Sequence, residues 1–145
     1  GPGWENLRAG SPLREKVRKA HTVPSEWLRI YSASRIVLAT HYHDPDGRFA
    51  VHQASPRVFE VLACGGFLIT DRQRDVFDLF VDGVHLVGFD DAEDLRSKVR
   101  HYLDRPEERQ AIAARGFEEA VARHTYVHRL EELVGRINGT RHGNA

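Results

Sequence analysis

The chain has little with which to bind by charge alone. Its 21 Lys and Arg residues balance its 21 Asp and Glu, so no global field draws it to nucleic acid or to an anionic membrane. No apolar run approaches the length of a membrane span, and no signal-peptide pattern is present. The single cysteine, Cys64, excludes an internal disulfide and points to a reducing compartment, hence to the cytoplasm. Methionine is absent, and the chain starts Gly1-Pro2 in the manner of a protease-cleavage scar, so a piece of something longer is expected. Lysine occurs only at Lys16, Lys19 and Lys98; arginine fills the other basic positions, a usage that fits a GC-rich bacterial genome. There is no internal repeat and no low-complexity tract.

What is present fits one globular domain. The 145 residues, 41% apolar and 29% charged, are enough for a real core. Residues 1–14 are punctuated by Gly and Pro and read as an irregular start. Residues 15–138 read as the folded domain, and 139–145 as a polar, disordered tail.

Within the domain, strand and helix signals alternate. A short basic helix is expected over 15–20. A clearer one starts at Pro24, with Trp27, Leu28 and Tyr31 on one side. Residues 35–40 are β-branched and apolar and predict a buried strand. Residues 41–48 form a polar loop around the turn Asp44-Pro45-Asp46-Gly47. A short helix over 75–80 and a strand over 84–87 follow, separated by Asp82-Gly83.

The last third is helical. Asp91, with Asp94, caps a helix whose stripe is Leu95, Val99, Tyr102 and Leu103. The next helix opens at Pro106 and should bury Ile112, Ala113, Phe117, Ala120 and Val121. Thr125 caps a final helix with Tyr126, Leu130, Leu133, Val134 and Ile137 facing inward. The alternation implies a parallel sheet, hence an α/β fold: a Rossmann-like three-layer α/β/α domain with a small parallel sheet and a helical C-terminal third. Ligands in such folds lie beyond the carboxyl ends of the strands.

The most informative stretch is residues 55–71. Ser55 is a good N-cap and Pro56 suits the first helical position. Arg57 and Glu60 lie three apart and share a face. Gly65-Gly66 ends the helix, and Phe67-Leu68-Ile69 begins a buried strand. A helix start with a polar cap and an arginine is an anion site, and a carboxylate one turn on suits a sugar hydroxyl. Arg48, in the loop before it, is within reach of a phosphate.

Taken alone, Glu60 reads as a solvent-facing acid near a positive helix end, and Arg57 as its surface partner. His41, His43, Asp44, Asp46 and His52 fit no zinc spacing, so a polar loop is the reading and no metal is expected. Asp71 reads as the cap of the next helix. Cys64 reads as a small buried residue with no partner for nucleophilic work. His124, His128 and Arg129 read as ties for the last helix. A phospho-receiver domain would need acids after the first strand and a lysine at a late strand end, and neither is present.

Pro56-Arg57-Val58-Phe59-Glu60, Ala63-Cys64-Gly65 and Leu68-Ile69-Thr70-Asp71 resemble the donor-binding half of GT-B glycosyltransferases, in the group 1, CgeB-like branch. Pro106-Glu107-Glu108-Arg109 and His124-Thr125-Tyr126-Val127-His128-Arg129-Leu130 resemble that family's final helices, and Gly3-Trp4 the segment after its first strand. The likeness spans about residues 3–135. It implies a metal-independent, hexosyltransferase-type enzyme without a cofactor, whose substrate is a nucleotide-diphosphate sugar. Its partner is an N-terminal Rossmann-like half of the same protein, without which the piece should be inactive.

By the resemblance, Glu60 binds the donor ribose, and the tip formed by Ser55 and Pro56, with Arg57, faces the diphosphate. His52 stands where many relatives carry a second glutamate. The alternative is a non-catalytic Rossmann-like protein-interaction module.

Overall fold

The computed structural model describes residues 6–17, 23–43, 46 and 53–141. Arg48, His52, Gly3-Trp4 and the Asp44-Pro45 turn lie outside them. Among the described residues the sheet has three parallel strands in the order β1 (Val37–Ala39), β2 (Leu68–Asp71), β3 (Val87–Phe89). Val37 is opposite Leu68, and Ile69 opposite Val87. Parallel neighbours need crossovers, supplied by α2 (Pro56–Ala63) and the single turn α3 (Arg74–Phe77). α1 (Pro24–Ala33) precedes β1; α4 (Ala92–Asp104), α5 (Pro106–Arg123) and α6 (Tyr126–Arg141) follow β3. This is the expected α/β, Rossmann-like architecture.

Alternation along the strands divides the core into two layers. Val37, Ala39 and Leu68 face Val58, Val61 and Leu62 of α2. Ile69 and Val87 face the other way, onto Tyr102 of α4 and Ile112 and Ala113 of α5. Val58, Val61 and Leu62 are fully buried, each stabilising by about 1.5–3 kcal/mol. α5 reaches both layers, because Ala120 at its far end joins the first cluster.

Several expectations are corrected. Residues 15–20 are not a helix as far as they are described: a 3-10 turn covers Arg14–Lys16 and Val17 is extended. β1 is not buried on both faces. Among the described residues it is an edge strand, and Leu38 is 51% exposed, because α4 and α5 cover only β2 and β3 on that side. The third strand is Val87–Phe89 rather than 84–87. Gly83, at φ 71, donates its N–H to the Leu86 carbonyl, so Val84 and His85 are spent in the turn.

α5 buries Arg109, Ile112, Ala113, Gly116 and Ala120, while Phe117 and Val121 are exposed. The reason lies at Gly116, where a Cβ would collide with the His85 carbonyl oxygen and press on Leu62. Close approach there turns positions 117 and 121 outward. The final helix forms, but Tyr126, Leu130, Leu133, Val134 and Ile137 do not face inward; all are exposed. Its backbone runs to Arg141, across the boundary expected at 138.

Candidate functional site

α2 is positioned as its caps dictate. Ser55 is extended (φ −60, ψ 141), its Oγ accepts from the Arg57 N–H at 3.3 Å, and Pro56 occupies the first helical position. At the other end the Gly66 N–H reaches the Val61 carbonyl and the Gly65 N–H the Leu62 carbonyl, both at 2.9 Å, with Gly65 at φ 68. That left-handed turn re-aims the chain directly into β2.

One face of α2, carrying Pro56, Phe59, Glu60 and Ala63, forms a wall of a cleft of about 380 Å³. The opposite wall is built by Val121 and His124 at the end of α5 and by Thr125, Tyr126 and Arg129 at the start of α6. The lining is mostly apolar, with the Glu60 carboxylate and the Arg129 guanidinium as its charged groups. Apolar walls with few polar groups are the usual make-up of a small-molecule site.

Glu60 and Pro56 therefore sit on the cleft together. Ser55 caps the helix beside it. Arg57 is exposed and is not part of the cleft wall. It makes no ion pair with Glu60 among the described residues, so their shared face does not become a contact.

His124 closes the floor. Its ring lies 4.8 Å from Phe80 and 6.1 Å from Phe59, centroid to centroid. Its Nδ1 accepts from Arg129 at 3.0 Å; Nε2 is buried without a hydrogen-bond partner, 3.6 Å from Glu119. Burial and the nearby Arg129 charge hold this imidazole below its usual pKa, against the weaker pull of Glu119. His128 and Thr125 pair locally, Oγ1 to Nδ1 at 2.7 Å, and the His128 N–H reaches back to Thr125 as in a cap. These residues tie α6 to α5 and α2.

A second cluster joins the sheet to α2. Asp71 is not a helix cap: the residue before α3 is Gln73, which makes no side-chain cap. Instead Asp71 Oδ1 accepts from the His41 backbone N–H (3.0 Å), His41 Nδ1 (2.8 Å) and Thr70 Oγ1 (3.4 Å). Its Oδ2 accepts from His43 Nε2 (2.9 Å) and Gln73 Nε2 (3.1 Å). Burial raises the Asp71 pKa, but the bonds from His41 and Gln73 outweigh it and hold the carboxyl below the usual range.

Because His41 Nδ1 donates to Asp71, its Nε2 is an acceptor, and the Ser55 N–H fills it at 3.2 Å. The polar loop after β1 is thus anchored at its start. Gln53 Nε2 also donates to the Tyr42 carbonyl at 2.8 Å, drawing the two ends of that loop together. Both links span more than ten residues, which is why local pattern did not reveal them. Among the described residues no group of three or more His, Cys, Asp or Glu is arranged to hold a metal ion. No helix among them is long and apolar enough to cross a membrane.

A small parallel sheet flanked by helices, with a cleft beside the capped start of α2, defines a Rossmann-like α/β domain. Residues 1–135 match the model of the glycosyl transferase-like family, and the chain belongs to that family. Its membership makes glycosyl transfer the activity class. No curated protein and no solved structure matches it.

Proposed function

We propose that this chain is the donor-binding half of a GT-B glycosyltransferase of the CgeB-like branch, and that it holds a nucleotide-diphosphate sugar. The observation that carries the reading is the position of Glu60: half-buried, on the wall of the cleft, little more than one turn behind the Ser55 cap. There its carboxylate accepts hydrogen bonds from a ribose, while Phe59, Tyr126 and Val121 offer apolar surface to the base.

Charge builds on the diphosphate as the sugar departs. Basic side chains aimed at it stabilise the transition state without a metal. Arg57 and Arg48 are candidates for that role, and His52 for a contact nearer the sugar. The acceptor and its base belong to an N-terminal half, working with this one in the cytoplasm.

Titrating uridine or guanosine diphosphate into the protein tests the reading. Glu60→Ala removes a charged hydrogen bond of about 1.5–3 kcal/mol, which weakens binding roughly ten- to hundred-fold. Equal binding by the variant, or no binding by the wild type, overturns it.

One observation favours a second reading, a non-catalytic interaction module. The apolar side of α6 is open to solvent, with Tyr126 82% and Leu130 59% exposed. That reading requires a protein partner lost on Leu130→Asp and no response to either nucleotide.

A further inference from the structure

We propose that His43 is a diphosphate contact of this site, an imidazole fixed by Asp71 at the carboxyl rim of the sheet and presenting Nδ1 to an anionic ligand. The inference rests on the donor-binding reading above.

Asp71 itself has no capacity left for a ligand. Its side chain is 9% exposed, and both oxygens are filled by the donors described. What it does is orient two histidines, and they end differently. The His41 side chain is fully buried and both its nitrogens are used, one by Asp71 and one by the Ser55 N–H. The His43 side chain is 67% exposed, and only Nε2 is used. With Nε2–H given to Asp71, Nδ1 is the ring atom without a partner among the described residues. A ring held at one nitrogen by a buried carboxylate, with the other offered to solvent, is pre-oriented to exchange a proton or meet an anion.

The place fits a phosphate. β1 and β2 end beside His41 and Asp71, and ligands of parallel α/β sheets lie outside those ends. The start of α2 is adjacent, yet its main chain has little to offer. The Ser55 N–H goes to His41, Pro56 has none, and the Arg57 N–H goes to Ser55 Oγ. A phosphate at this rim therefore needs side-chain donors. Arg57, the arginine expected from sequence, has no orienting partner for its guanidinium among the described residues, whereas His43 is already held. As an imidazolium, the ring donates Nδ1–H in a charged hydrogen bond to a phosphate oxygen. Asp71, behind Nε2, balances the charge.

The test uses inorganic pyrophosphate and uridine diphosphate with the wild-type chain, His43→Gln, His43→Arg and Glu60→Ala. Pyrophosphate affinity should fall about tenfold or more in His43→Gln and be largely restored in His43→Arg, since one charged hydrogen bond is lost and a cation regained. Nitrogen-detected NMR should show the His43 ring signals shift when pyrophosphate is added.

Unchanged pyrophosphate affinity in His43→Gln, ring signals that ignore the ligand, or no pyrophosphate binding by the wild type overturns the inference. Uridine diphosphate binding that Glu60→Ala leaves intact overturns the donor reading instead, so the two failures are distinguishable.

Discussion

At the end of β2, burial and hydrogen bonding act on Asp71 in opposite directions, and the bonds win. A carboxyl whose folded pKa is depressed stabilises the fold above its unfolded pKa, and that stability is lost as pH falls toward the folded value. His124 has the same sign by another route. Its folded pKa is lowered, so the neutral ring is favoured and stability declines as pH drops below the free imidazole value of about 6.5. The melting temperature should therefore fall in two stages on acidification, first through the histidine range and then through the carboxylate range. His124→Phe, which keeps a ring between Phe59 and Phe80, should flatten the first stage; Asp71→Asn should flatten the second. Curves for the variants parallel to the wild type would refute the assignment. Little of this was legible beforehand. Asp71 meets partners 28 and 30 residues away, and a loop reading of His41 and His43 carries no information about what folds against them.

On the scale of single elements, α2 and β2 were readable almost to the residue because their signals are local. Ser55, Pro56, Gly65 and Gly66 each do what their covalent structure favours. Ser55→Ala should cost about 1 kcal/mol in chemical denaturation by removing the cap. Gly65→Ala should cost about 1–2 kcal/mol, because a Cβ opposes the left-handed turn. Where an element's position depends on a neighbour, the reading slipped. Apolar spacing alone runs the stripe of α5 through Phe117 and Val121, but Gly116 is the residue that meets the His85 turn, and a glycine gives no hydrophobic signal. Gly116→Ala should destabilise by about 1–3 kcal/mol through overpacking, more than an alanine at exposed Gly135, where a Cβ meets nothing within 4 Å. β3 slipped for a related reason: Val84 and Leu86 are as apolar as a strand requires, and only the Gly83 turn decides that they precede it.

At the scale of the molecule, periodicity identifies a helix's apolar side but not whether anything covers it. α6 has such a side and it lies open, whereas the equivalent side of α2 is sealed. Leu62→Ala should cost about 2–5 kcal/mol in stability. Leu130→Asp or Leu133→Asp should change it by less than about 0.5 kcal/mol, measured in the same denaturant series. A large loss at Leu130 would mean that α6 is sealed after all.

α5, about 27 Å long, contributes Ile112 and Ala113 to one layer of the core and Ala120 to the other. Neither layer can loosen without releasing the same rod, so heat or urea should dismantle both in one step. Fluorescence from Trp27, on α1, and far-ultraviolet dichroism should then trace superimposable curves. The same rod ends at the cleft wall through Val121 and His124, so a molecule that fills the cleft would raise the resistance of the entire domain to melting rather than that of one corner.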